Sequence, residues 1–181
     1  MPNQQPTITD ARGKRQFAAS AAAVLGFVVN PEERILLLAH PKRAGMWEVI
    51  NGALDAAETV LDGALREVHE EAGAQLELRP LGIVHAYTFR YDDNVQYMIS
   101  LCYLFAYEGG PVEPGDDMAG SAIHWASVDE IESGALSIYV PEHSPWLFRR
   151  AVELYRLWHA HPPLALQPPF TVMKQPKYKP R

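Results

Sequence analysis

Glu67, Glu70 and Glu71 fall in a stretch whose apolar residues recur at helical spacing. At about 100° per residue the three carboxylates share an arc of roughly 100° on one helix face. Like charges this close repel one another and weaken an isolated helix. A hard divalent cation such as Mg2+ removes that penalty, because it prefers oxygen ligands in near-octahedral order. The competing reading is a solvated acidic helix face, which is common for a charge cluster. Gly52, Glu58 and Arg66, set at fixed distances around the carboxylates, weigh against it.

The run reads Gly52, five residues, Glu58, seven residues, then Arg66-Glu67-Val68-His69-Glu70-Glu71-Ala72-Gly73-Ala74. It resembles the Nudix box, G-x5-E-x7-R-E-U-x-E-E-x-G-U with U hydrophobic, at every fixed position. At average residue frequencies, chance would place those fixed residues in a chain this long with a probability on the order of one in a million. A looser resemblance runs from about Phe17 to Ile131. It includes a Trp ahead of the box, two long strands after it, and a strand leading into a capped helix at Ile123–Glu130.

The resemblance implies an α/β/α sandwich around a mixed sheet. It implies that Glu67, Glu70 and Glu71 bind Mg2+ (or Mn2+) together with the carbonyl of Gly52, and that Arg66 and Glu58 hold the carboxylates in position. Glu67, Glu70, Arg66 and Glu58 then form the catalytic set. The implied reaction is attack by water on phosphorus in a small nucleoside-diphosphate-linked substrate, with metal clamping the phosphates and a carboxylate handling the proton. Members of the family often carry the base on a later loop, where this chain offers Glu113, Asp116 and Asp117. Ahead of the box many members read Trp-x-x-Pro-Gly-Gly; here the run is Trp47-Glu48-Val49-Ile50-Asn51-Gly52, and Ala57 stands where a Gly is usual.

Several elements must position these groups. Residues 1–16 are polar and lack periodicity, which predicts a loose arm. The apolar runs Phe17–Val29 and Ile35–Ala39, parted by Pro31-Glu32-Glu33-Arg34, predict a β-hairpin. A short strand is expected around Trp47–Ile50. Leu61, Ala64, Leu65, Val68 and Ala72 form the buried stripe of a helix from Thr59, its N-cap, to Gly73, which closes it in the left-handed conformation. Gly63 is a weak point inside it, costing about 1 kcal/mol relative to alanine. Two long strands follow, about Leu76–Tyr91 and Val95–Tyr107, then a polar loop Glu108–Gly120, a strand Ala122–Ala126 and a capping box Ser127–Glu130. Ser144-Pro145 opens a last helix to about His159. One domain over 17–160 and a Pro-rich basic tail over 161–181 complete the division.

The chain has 181 residues, 48% of them hydrophobic, enough for one real core. Its net charge of −6 disfavours a nucleic-acid polymer as partner, which would call for a basic face. The single cysteine, Cys102, suits a reducing cytosol and allows no internal disulfide; it reads as a small buried filler. Phe17–Val29 is too short for a membrane span and is interrupted too soon for a secretory signal, so a cytoplasmic enzyme is expected. Lys42 and Arg43, beside His40, and Arg90 stand where they could reach a substrate phosphate. Tyr87 shares a strand face with Phe89 and Tyr91 and could stack a base or make a core or homodimer contact. Two rivals share the fold: an enzyme like isopentenyl-diphosphate isomerase, which needs a catalytic cysteine near the glycine turn, and an inactive nucleotide-binding module.

Overall fold

The computed structural model describes residues 5–141 and 144–161. A small antiparallel hairpin, β1 (Thr7–Thr9) and β2 (Gln16–Ala18), comes first. The expected loose arm is therefore partly folded. Asp10 Oδ1 accepts from the backbone N–H groups of Lys14 (2.8 Å) and Arg15 (3.1 Å) and closes the turn between the strands.

The main sheet and its helices follow in the order β3 (Ala21–Val29), β4 (Ile35–Ala39), β5 (Met46–Glu48), β6 (Ile50–Ala53), α1 (Val60–Ala72), β7 (Glu77–Phe89), β8 (Met98–Gly109), β9 (Ile123–Ala126), α2 (Val128–Glu132), β10 (Ser137–Val140) and α3 (Pro145–Trp158). The sheet is mixed, with strand order β10-β5-β4-β3-β8-β7; β6 also pairs with β3, and β9 with β4. β3 is its axis. Leu25, Phe27 and Val29 point into the core beneath α3, whereas Val24 and Val28 point into the core beneath α1. Burial on both faces explains why β3 reads as an unbroken apolar run rather than an alternating one. The architecture is the expected α/β/α sandwich.

Two local expectations change. β3 and β4 were expected to form a hairpin, but they pair only at Val29 and Ile35. β8 takes one edge of β3 in parallel, from Ala21 opposite Met98 to Val29 opposite Ala106, and β6 takes the near end of the other edge. The strand expected over Trp47–Ile50 breaks at Val49, whose N–H donates to the carbonyl of Val140 (3.1 Å) on β10, a strand not anticipated. The sheet thus splits around Val49, and β5 and β6 part company beside the glycine turn.

α1 forms as its pattern dictates. Thr59 accepts from the N–H of Asp62 (3.1 Å), and Ala64, Val68 and Ala72 are buried with Leu61 and Leu65 packed alongside. Gly73 ends the helix at φ 136°, but its ψ of 128° is extended rather than left-handed helical. Gly26 lets the helix lie close: a β-carbon there would stand 2.7 Å from Val68 Cγ2. The capping box at Ser127 and Glu130 is formed, and α3 opens on Pro145. The expected tail, apart from His161, lies outside the described residues. Among the described residues no helix is long and apolar enough to cross a membrane.

Candidate functional site

Arg66 is the hub of the site. Its Nε donates to Glu58 Oε1 (2.9 Å) and its Nη2 to Glu58 Oε2 (3.2 Å), a two-pronged grip. Nη2 also donates to the carbonyl of Ala53 (3.0 Å), fastening α1 to the end of β6. Nη1 donates to Glu67 Oε1 and Glu70 Oε2, both at 2.9 Å. The Arg66 guanidinium, aided by the N–H of Asp55, holds the Glu58 carboxyl below the usual range. A β-carbon on Gly63 would stand 2.6 Å from Leu54 Cδ1 and 2.8 Å from Glu58 Oε2. The weak point of the helix is therefore where Glu58 lies against it.

Glu67 lies on Gly52, and Glu71 lies under the turn. The Glu71 carboxylate accepts from the N–H of Asn51 (3.1 Å). Burial pushes Glu71 up to about 8, and the charges of Glu67, Glu48 and Asp117 push the same way. Burial also raises Glu67, against the pull of Arg66. Glu48 was not singled out in the sequence, yet it is buried to 6% exposure beside these groups. The Asn51 side chain donates to Glu48 Oε2 (3.3 Å), and burial raises its pKa while His40, Asn51 and Arg43 lower it. The signal for Glu48 was a lone charge inside the otherwise apolar run Trp47–Ile50.

The loop after β8 docks on the C-terminal end of α1. The N–H of Glu113 donates to the carbonyl of Ala72 (2.8 Å), and that of Gly115 to the carbonyl of Glu71 (3.2 Å). These bonds satisfy carbonyls that a helix end leaves open. A 3-10 turn, Asp116–Met118, follows, anchored by the buried Met118 in the core beneath α1. Of the three loop acids, Asp117 is the one whose charge bears on Glu71.

The remaining sequence candidates divide. Arg43 and His40 come close enough to Glu48 to act on its charge. Lys42 lies exposed on the same loop and its N–H donates to His40 Nδ1 (3.0 Å). Arg90 is not brought to the carboxylates: it pairs with Asp93 and donates to the carbonyl of Asp92 (3.3 Å) within its own turn. Tyr87 is not brought there either. It packs on the α3 side of the sheet with His85 and Phe89, the core contact that strand alternation allowed. Cys102 is fully buried on that side, and burial pushes its thiol up to about 12.

A family model, the NUDIX domain, matches residues 19–149. The chain belongs to the Nudix family. It is 34% identical over 108 residues to the NAD-capped RNA hydrolase NudC of Vibrio parahaemolyticus, a stretch covering 57% of this chain and 37% of that protein. It is 27% identical over 119 residues to a MutT-like protein of Streptomyces ambofaciens, covering 66% of this chain and 71% of that one. The chain thus spans little more than a third of the Vibrio relative's length. The fold resembles an ADP-ribose pyrophosphatase of Streptococcus suis (TM-score 0.59, 19% identity, 76% of this chain and 93% of that one). It also resembles a MutT protein of Methanosarcina mazei (TM-score 0.57, 22% identity, 74% and 94%).

The donor set of this Nudix chain suits a hard divalent cation. Glu67, Glu70 and Glu71, with the Gly52 carbonyl, would offer oxygen donors only, and the charged form of the half-buried Glu71 has one backbone N–H to offset it. Among the described residues no three acidic, imidazole or thiol side chains already converge as a closed ligand set. Glu67 and Glu70 are both turned onto Arg66.

Proposed function

We propose that the protein is a Mg2+-dependent hydrolase, also served by Mn2+, that cleaves the phosphoanhydride bond of a nucleoside-diphosphate-linked small molecule. The observation that carries this reading is the Arg66 hub, which ties Glu58, Glu67 and Glu70 to the end of β6 beside Glu71. A bare acidic surface would need no such framework. Glu67, Glu70, Glu71 and the Gly52 carbonyl would hold the cation, which when bound neutralises phosphate charge and lowers the pKa of water. Arg66 and Glu58 would keep the carboxylates oriented, and of the loop acids Asp117, whose charge bears on Glu71, is our candidate to take the proton from the attacking water.

The names of the relatives, an NAD-capped RNA hydrolase and an ADP-ribose pyrophosphatase, point to substrates in which a nucleoside is joined through a diphosphate. The net charge of −6 favours the small-molecule members of that class over a long polymer. The test is a panel of nucleotide sugars, dinucleotides, nucleoside triphosphates and a capped RNA end, incubated with Mg2+ in 18O-labelled water. Label in a phosphate product is expected from at least one substrate. Nucleotide binding with no labelled product from any of them would make the protein a binding module instead.

A further inference from the structure

The residues that meet the Glu48 side of the site are built with unusual care for a surface loop. Residues 40–46 are folded by three backbone hydrogen bonds, His40 N to Met46 O (2.9 Å), Arg43 N to His40 O (3.2 Å) and Met46 N to Arg43 O (3.1 Å). The Arg43 guanidinium carbon lies 3.7 Å from the centroid of the Tyr139 ring, and the His40 ring meets Tyr139 edge-on at 5.0 Å. Tyr139 is there because β10 is irregular. Ile138 stands opposite Trp47 and Val140 opposite Glu48, so β10 takes two steps where β5 takes one, and Tyr139 is the extra residue. Such a bulge re-aims a side chain, and bulges are over-represented next to active sites.

Among the described residues the donors of Arg43 are unspent. Arg66, Arg79, Arg149 and Arg156 each donate to a carboxylate. Arg43 donates from its side chain to no protein oxygen among the described residues, although its guanidinium carbon lies over the Tyr139 ring and its charge reaches Glu48. A guanidinium held flat keeps its N–H edge ready for two oxygens at once and loses little freedom on binding them.

We infer that Arg43, laid on Tyr139, grips the phosphate chain of the substrate at a phosphate bearing two unesterified oxygens, with Tyr139 as its positioning residue. This rests on the reading of the site as a diphosphate hydrolase. Neither residue belongs to the box, so the pair would select among phosphate chains while the carboxylates do the chemistry. Lysine cannot replace Arg43 here, because a point charge neither stacks flat nor donates in a fork.

The experiment measures kinetics of Arg43→Lys, Tyr139→Phe and Tyr139→Leu on the best substrate of the panel, with Mn2+ affinity of each. Arg43→Lys and Tyr139→Leu should raise KM by about tenfold with kcat nearly unchanged, the signature of lost binding rather than lost chemistry. Tyr139→Phe keeps the ring and should match wild type, and Mn2+ affinity should not move in any variant. A wild-type KM in Arg43→Lys, or failure of Tyr139→Phe to retain it, overturns the inference; so does weakened Mn2+ binding in Arg43→Lys. If Tyr139→Leu does not fold, the other two variants decide. If the wild type hydrolyses nothing, binding of α,β-methylene-ADP with Mg2+ is read in the same variants. Weaker binding in Arg43→Lys then upholds the grip while the hydrolase reading falls, and absence of wild-type binding overturns both.

Discussion

A β-carbon on Gly52 would lie 2.0 Å from Glu67 Cδ and within 2.2 Å of both carboxylate oxygens. The glycine of the turn and the first glutamate of the helix therefore occupy one another's space. Gly52→Ala should push the Glu67 carboxylate aside, because the end of a long side chain yields more cheaply than two packed backbones. The expected result is a folded protein with its melting temperature little changed and a kcat reduced by at least about tenfold, in line with the few kcal/mol lost when a positioned charge is misplaced. An alanine variant with wild-type turnover would show that Glu67 has no fixed part in the reaction.

Glu71 makes metal dependence visible as pH dependence. Burial raises its pKa from an ordinary 4.5 to about 8, so the fold favours the protonated carboxyl. The stability this lends is fully present below about 4.5 and drains away as pH rises, until it is lost above about 8. A divalent cation favours the charged form, so it should stabilise the protein more at the alkaline end of that window than at the acid end. Thermal melts with excess Mg2+ and with EDTA should diverge as pH rises, and Glu71→Gln should bring the two sets of melts together. Equal divergence in Glu71→Gln would place the responsive carboxyl elsewhere.

The parts of the site legible in the sequence are those whose geometry is local. Arg66, Glu67, Glu70 and Glu71 sit on one helix, so their spacing alone sets their arc, and Arg66 does reach Glu70 one turn on. Glu48 and Tyr139 were not legible, because what places them is not local. Glu48 is turned into the site where β5 and β6 part at Val49, and Tyr139 by a bulge defined only once β10 is laid against β5. The β3–β4 pairing is short for the same reason: β6, which follows in the chain, takes Ala23–Gly26 on the edge of β3 that a full hairpin would use. Tyr87 was placed on the correct strand, but alternation cannot say which face the site occupies.

The loop acids can be separated by single amide substitutions. Asp117 is the one whose charge is felt at Glu71, and the turn carrying it is pinned by the buried Met118. Glu113 meets α1 through its backbone N–H, and the side chains of all three acids are exposed. Asp117→Asn should lower kcat by at least about tenfold with little change in KM, as expected for loss of a general base. Glu113→Gln and Asp116→Asn should stay close to wild type. Should Asp117→Asn retain full kcat, the proton goes to a carboxylate of the box, with Glu67 the first to test.

Cys102 decides between hydrolysis and isomerisation. An isomerase would need a reactive cysteine at the glycine turn, whereas the one cysteine here is fully buried in the core beneath α3, opposite Leu25 and His85 on the neighbouring strands. Burial raises its thiol from an ordinary 9 to about 12, so the fold favours the protonated form. That contribution is complete below about 9 and is lost only as pH climbs through about 12, which leaves no thiolate at neutral pH. A thiol reagent should therefore react only after denaturation. Cys102→Ala should cost about 1 kcal/mol, the scale of deleting one buried atom, and keep at least about half the hydrolytic rate. The wild type should convert no isopentenyl diphosphate to its isomer. Isomerisation abolished by Cys102→Ala would reverse this conclusion, because a thiol so placed could take part only if the core beneath α3 opened during turnover.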